Sequence, residues 1–249
     1  MSSSLFIQRM RRWGHIHTSE GSISRAIIVA QQVEPQIASS VQSQALWEVV
    51  GAMREPLLLI VLGLPCTGKT TLARRLAADL RLPLVAKDGI KETLFGTLGW
   101  SDRAWSRRLG MATYALIYHL VEAQLSAGRS LIVESPFDPQ HATREFLALK
   151  NKYGFRPVQV LCWAEDDVLV QRFTARAASG ERHPGHVDHL NAAEFEETLR
   201  RGQARPLDIG GPVFEVDTTD WAAVDYAGLL ERVRSTLHSS SATLSNGAT

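Results

Sequence analysis

Only two cysteines, Cys66 and Cys162, occur among the 249 residues. One stands in a loop context and the other in an apolar run. They follow no paired spacing, so no disulfide framework is indicated and a reducing compartment is expected. No apolar run approaches the length that spans a bilayer, so no membrane is expected as a partner. The first residues lack the charged-then-apolar layout of a secretory signal, and a cytoplasmic location is expected. An excess of either charge is also missing: 27 Lys and Arg against 26 Asp and Glu leave +1. That balance argues against a dedicated nucleic-acid binder, which would carry a strongly basic face. There is no internal repeat. What is present is an ordinary globular mixture, 45% hydrophobic and 21% charged, in a chain long enough for one domain with extensions.

Composition divides the chain into three zones. Residues 1–55 form an N-terminal extension. Its first twenty residues are Ser-rich, basic and poor in acids, which can mimic a transit peptide, and are read as a disordered arm. Ile37, Val41, Leu46 and Val49 then recur at helical spacing, so one helix is expected between Gln36 and Met53. The core is expected over 56–237. Residues 238–249, mostly Ser, Thr and Ala, are expected to be a disordered tail. Within the core, five short apolar runs (Leu57–Leu62, Leu82–Ala86, Ser130–Glu134, Val158–Trp163 and Val213–Val216) alternate with longer segments of 3.6-residue period. The latter include Thr70–Arg81, Asp102–Ala127, Asp166–Ala178 and Ala222–Leu237. Near-continuous Val, Ile and Leu suits strands buried on both faces. The alternation predicts an α/β fold: a five-stranded parallel sheet with helices on both faces.

The most informative stretch is Gly63-Leu64-Pro65-Cys66-Thr67-Gly68-Lys69-Thr70. It reads glycine, four residues, glycine, lysine, then threonine, and it follows a predicted strand and opens a predicted helix. Glycines let successive backbone N–H groups converge on a polyanion, and the helix N-terminus adds partial positive charge. This marks a P-loop NTPase (Walker A) fold that binds ATP. Lys69 is expected at the β- and γ-phosphates and the Thr70 hydroxyl on Mg²⁺, with Thr71 continuing the loop. Cys66 sits where a small residue is needed. It is read as a tolerated side chain, with a redox-sensitive thiol as the alternative.

This sequence resembles the small P-loop kinases that include zeta toxins, chloramphenicol phosphotransferase, gluconate kinase and polynucleotide 5′-kinases. The resemblance runs from about Leu57 to Leu237. It rests on the loop Gly63–Thr71, on Lys87-Asp88-Gly89-Ile90-Lys91 with Leu94-Phe95-Gly96, on the strand Leu131–Glu134, and on Arg172–Arg176 with Arg182–His186. The last of these looks like the lid, helical and loop, of such kinases. Lys91 departs from the more usual arginine, and Glu134 stands where aspartate is commoner.

The residues support these assignments independently. Asp88 follows an apolar run, hence lies at the C-terminal edge of the sheet, where it can take the proton of an attacking hydroxyl. The alternative is an N-cap for a helix over Gly89–Leu98. Glu134 also ends a strand and can hold the Mg²⁺ shell; its alternative is a cap or an ion-pair partner. Arg172 and Arg176 share a helix face, and Ser179-Gly180 signals a break before Arg182, the layout of a hinged lid. Arg176 and Arg182 are expected on the transferring phosphoryl group, with Arg172 at the nucleotide. His183, His186 and His189 read as a polar loop rather than a zinc site, because Pro184-Gly185 interrupts any regular helix. The chain is thus expected to be an ATP-dependent kinase, with catalytic Asp88, Lys69, Arg176 and Arg182, acting on a small-molecule hydroxyl. Three alternatives stay open: a polynucleotide 5′-kinase, a toxin-like nucleotide-sugar kinase, and an ATP-binding switch or ATPase with no acceptor.

Overall fold

The computed structural model describes residues 55–180, 182–187 and 192–238. The expected helix between Gln36 and Met53, and nearly all of the expected extension and tail, lie outside the described residues. Within them runs an alternation of strands and helices. Strand β1 (Leu57–Gly63) leads to helix α1 (Lys69–Leu80). Then come β2 (Leu84–Ala86), α2 (Lys87–Leu98), α3 (Arg103–Ser126) and β3 (Leu131–Glu134). Helix α4 (Pro139–Tyr153) precedes β4 (Arg156–Trp163) and α5 (Asp166–Ser179). Helix α6 (Ala192–Arg200), β5 (Val213–Asp217) and α7 (Tyr226–His238) complete the order. The sheet order is β2-β3-β1-β4-β5, and every pair is parallel.

Strand periodicity splits β1 between two cores, because successive side chains point to opposite faces. Leu58, Ile60 and Leu62 pack with Val121 and Ile117 of α3 and Phe146 of α4. Leu57, Leu59 and Val61 face the other way, onto Leu72 and Leu76 of α1 and Leu229 and Val233 of α7. All seven residues of β1 are buried, which explains the unbroken apolar run in its sequence. No helix among the described residues is long and apolar enough to cross a membrane.

Several elements depart from the sequence reading: helix α6 had no counterpart there, α7 begins at Tyr226 rather than Ala222, and two further departures have a clear local cause. The second strand begins at Leu84 rather than Leu82. Leu82 N–H instead closes the end of α1 on the Ala77 carbonyl at 3.1 Å, and Pro83 has no N–H to give to a ladder. Helix α4 was not apparent from periodicity, since it buries only Ala142 and Phe146. Its ends are nevertheless well marked: the Asp138 side chain accepts from Gln140 N–H, Pro139 opens the first turn, and Gly154 closes it at positive φ.

The connection from α6 to β5 is pinned from below by one buried side chain. The Gln159 amide donates to the Leu207 carbonyl at 2.9 Å, and its oxygen accepts from Leu207 N–H at 2.7 Å. Replacing Gln159 with Leu would leave both backbone groups buried without partners, at about 1–3 kcal/mol each. We expect Gln159→Leu to lose about 2–4 kcal/mol in urea unfolding, read at unchanged m-value. A loss below about 0.5 kcal/mol would mean that water reaches Leu207 and the pin is not needed.

Candidate functional site

The described site lies at the C-terminal edge of the sheet between β1 and β3. Here the chain leaves in opposite directions, β1 toward β2 and β3 toward β4. Such switch points open a crevice in α/β folds. Register fixes what lines it: Val61 is paired with Glu134, and Glu134 with Ala86. The loop after β1, the end of β3 and the start of α2 therefore meet at one level.

Gly63, Leu64, Pro65, Cys66, Thr67 and Gly68 form the turn from β1 into α1, which begins at Lys69. The Leu64 carbonyl organises it, accepting from Thr67 Oγ1 at 2.8 Å and from Lys69 Nζ at 3.2 Å. Thr70 Oγ1 donates to Glu134 Oε2 at 3.1 Å, and Lys69 Nζ lies 4.0 Å from Glu134 Oε1. Burial pushes the Glu134 carboxyl above the usual range, against the pull of Lys69. Thr71 faces solvent on the first turn of α1. The sequence expectations for Lys69, Thr70 and Glu134 thus fall in one place. A lysine, a hydroxyl and a carboxylate oxygen are the donors that a phosphate chain and a hard cation such as Mg²⁺ take.

Asp88 is not the cap that the sequence allowed. Helix α2 starts earlier, at Lys87, with Ala86 as N-cap and no side-chain capping bond. Asp88 sits in the first turn and turns its carboxylate to Arg182, 2.6 Å away, with Lys87 Nζ at 3.6 Å. Burial alone would raise its pKa, but Arg182, then Lys87 and His186, outweigh it and hold the carboxyl well below the usual range. Any stability from this depressed pKa is present above the ordinary aspartate value and is lost as pH falls below it. Lys87 is shifted down, chiefly by burial.

The loop carrying Arg182 is seated on α2. His183 stacks on Phe95 at 5.1 Å between centroids, and His186 meets the same ring edge-on at 5.3 Å. His186 Nε2 is 3.1 Å from Glu92. Gly185 presses on Phe95 so closely that an added Cβ would lie 2.8 Å from ring atoms, so only glycine fits. Arg103 and Arg107 of α3 both hold Glu194 of α6, and they pull its carboxyl down to about 2, Arg103 most. The helix break expected at Gly180 is there, at φ +67°. His189 lies outside the described residues.

Arg172 and Arg176 differ in placement. Arg172, expected at the nucleotide, has its guanidinium on three backbone carbonyls: Thr218 at 2.6 Å, Thr219 at 3.2 Å and Cys66 at 3.5 Å. It braces the phosphate-type loop against the turn after β5. Arg176 lies one helical turn on, 5.6 Å over the Phe173 ring. Sequence reasoning missed two partners in this brace. Thr218 Oγ1 donates to the Thr67 carbonyl at 2.9 Å. Trp221, 39% exposed, covers Gly68 so closely that an added Cβ there would lie 2.2 Å from its ring. Cys66 holds φ +69°, a left-handed turn normally left to glycine or asparagine.

A family model described as an AAA domain matches residues 58–202. The chain belongs to this AAA domain family. Among solved structures, one described as a candidate kinase from Chloroflexus aurantiacus is 43% identical with a TM-score of 0.69, over 76% of this chain and 100% of that one. Kti12 from Chaetomium thermophilum, solved with ADP-AlF3, is 16% identical with a TM-score of 0.51, over 73% of this chain and 100% of that one. The latter likeness shows the fold alone. None of the curated proteins matches the sequence. The parallel five-stranded sheet with helices on both faces is the P-loop fold expected for this AAA domain.

The Trp221 contact is testable. Gly68 stands at φ +74°, so alanine there costs about 1–2 kcal/mol from conformation alone, and the clash with Trp221 adds about 1–3 kcal/mol. In a Trp221→Ala background the second part should vanish, leaving Gly68→Ala at about 1–2 kcal/mol. Equal costs in both backgrounds would show that the indole does not press on the loop.

Proposed function

We propose that this AAA domain protein is an ATP-dependent phosphotransferase that moves the γ-phosphoryl group to a hydroxyl of a small molecule. The observation that carries the reading is Asp88: a carboxylate kept ionised by Arg182 and Lys87, beside Ala86, which pairs in register with Glu134. An acceptor hydroxyl and a triphosphate on the loop would meet in that gap. The 43% identical structure, itself described as a candidate kinase, supports the reading.

In this mechanism Lys69 and the loop amides hold the phosphates, and the helix N-terminus of α1 favours their charge. Thr70 and Glu134 would hold Mg²⁺, which when bound draws charge from the β- and γ-oxygens. Asp88 accepts a hydrogen bond from the acceptor hydroxyl and orients it in line with the γ-phosphorus. The hydroxyl oxygen bonds to phosphorus, its proton passes to Asp88, and the bond to the bridging oxygen breaks to release ADP. A carboxylate of such low basicity works chiefly by orientation and takes the proton late, as in other phosphoryl transfers. Arg182, now on Asp88, and Arg176 belong to the segment that closes over the transferring group, where a guanidinium stabilises spread charge. Arg172 keeps the loop in shape and does not need to touch the nucleotide.

Two variants separate the roles. Lys69→Ala should lose turnover by at least about a hundredfold and weaken binding of a non-hydrolysable ATP analogue. Asp88→Asn should bind that analogue near wild-type affinity, while ADP release stimulated by hydroxyl compounds falls about 10²–10⁴-fold. Its melting temperature should drop, because Arg182 and Lys87 lose their counter-charge. The measurement is a screen of sugars, antibiotics, nucleosides and 5′-hydroxyl oligonucleotides for acceptor-stimulated ADP release, repeated with each variant. Full acceptor-stimulated rate in Asp88→Asn would move the base elsewhere, with Glu134 next. ATP turnover that no acceptor stimulates and Asp88→Asn leaves unchanged would make the protein an ATPase.

A further inference from the structure

Helices α3 and α4 share one face of the sheet, yet they leave a gap between them. Tyr118 of α3 meets Phe146 of α4 edge-on at 5.5 Å between centroids. Beside this contact both helices carry alanine, Ala115 and Ala148, and side chains this small do not fill the space. The result is a cavity of about 350 Å³, none of whose lining residues belongs to the crevice at the sheet edge. Glu122 of α3 borders it, and its Oε1 accepts from Lys152 Nζ and from Tyr153 Oη of α4, each at 2.8 Å. Glu145 of α4 borders it too, and its Oε1 accepts from the neighbouring Arg144 at 2.9 Å. The second oxygen of each carboxylate and the Tyr118 hydroxyl have no hydrogen-bond partner among the described residues. Burial first, then Tyr114 and Glu145, push the Tyr118 pKa upward, so the phenol keeps its proton.

Charge decides what such a gap can take. The lining carries two carboxylates against one lysine, Lys152, so one negative charge is left over with His119 counted as neutral. Arg144 stands outside the lining with its side chain 81% exposed, and an ion pair that open to solvent holds Glu145 only weakly. The remaining wall, formed by Ala115, Ala148, Leu149 and the Tyr118 ring, is apolar. We propose that the cavity between α3 and α4 is a binding site for a small organic cation, an amine with a short apolar body. An ammonium has three donors and no acceptor, which suits two carboxylate oxygens and the hydroxyl oxygen of Tyr118. Its carbon chain would cover the apolar wall, and the volume is that of a small-molecule site. An organic anion would meet both carboxylates instead. A bare metal ion is no better suited, since no three His, Cys, Asp or Glu among the described residues are placed to hold one. The site stands apart from the phosphotransferase reading and does not depend on it.

The test is titration calorimetry of the full chain with pentylamine, with pentanol and pentanoate as its neutral and anionic counterparts at matched ionic strength. Pentylamine should bind saturably, one molecule per chain, with pentanol weaker by about tenfold or more and pentanoate showing no binding. Added salt should weaken pentylamine and leave pentanol unchanged, because the carboxylates are only partly shielded from solvent. Two variants locate the site. Ala115→Leu enlarges an exposed side chain that borders the cavity, so it should abolish binding while the melting temperature holds. Glu145→Gln keeps the shape and removes one charge, so pentylamine should bind about threefold to tenfold more weakly. Lys69→Ala should bind the amine as wild type does, and a loss there would place the amine in the crevice and overturn the proposal. Pentylamine binding that survives intact in Ala115→Leu or in Glu145→Gln, or that is no tighter than that of pentanol, also overturns it. So does the lack of any saturable binding up to about 10 mM.

Discussion

Parallel register carries this site. Because Val61, Glu134 and Ala86 stand side by side on three adjacent strands, the chain emerges at one level three times, with a different chemical group each time. The first exit supplies a lysine and a hydroxyl, the second a buried carboxylate, the third an aspartate and two lysines. A slip of one residue in any pair would turn these side chains to the opposite face. The buried alternation of Leu58, Ile60 and Leu62 against Leu57, Leu59 and Val61 is what forbids the slip. Packing on both faces of β1 and placement of the chemistry are therefore one constraint.

Electrostatics at that edge are arranged as a surplus. Lys69, Lys87 and Arg182 crowd around Asp88 and Glu134, with Lys91 and Arg103 nearby, and burial first, mutual repulsion second, lower the two shifted lysines. Such a field is unfavourable for the protein alone and favourable for a polyanion. The seated loop and α6 answer part of it from outside, through Arg182 on Asp88 and Glu194 on α3. In the arrangement described here the site is closed on itself, with Arg182 occupying the carboxylate that an acceptor hydroxyl would need. On the proposed phosphotransferase reading, an acceptor would compete for Asp88 while the transferring phosphoryl group would offer Arg182 a stronger partner.

Much of this was legible in the chain, and the boundary of legibility is physical. The five apolar runs match all five strands: β1, β3 and β4 are buried on both faces and need no partner to declare themselves, while the edge strands β2 and β5 are less buried but still mark themselves by short runs rich in Val, Leu and Phe. The glycine-lysine-threonine spacing likewise declares its turn locally. Asp88 could be placed at the sheet edge from the run before it, and its alternative role as a cap falls away because helix α2 starts at Lys87, two residues before the expected Gly89. Arg182 meets Asp88 across 94 positions, and Thr218 meets Thr67 across 151. No local pattern encodes such pairs. Arg172 shows the same limit: its helical face was correct, but only the fold reveals that it reaches carbonyls. Lys91 reads in sequence as a departure from a familiar arginine, while its burial against Ser106 emerges only from packing.

The brace formed by Arg172 and Thr218 has a thermodynamic corollary. The carbonyls of Cys66 and Thr67 are already tied to the turn after β5, and Trp221 closes over Gly68. The loop therefore holds its curvature before any ligand arrives, even though Cys66 must sit in a left-handed turn to do so. Association with such a loop freezes little backbone that was moving. The entropy change on nucleotide uptake should then be dominated by water and counterions leaving the lysines, and affinity should soften with added salt more than with chain-loosening conditions.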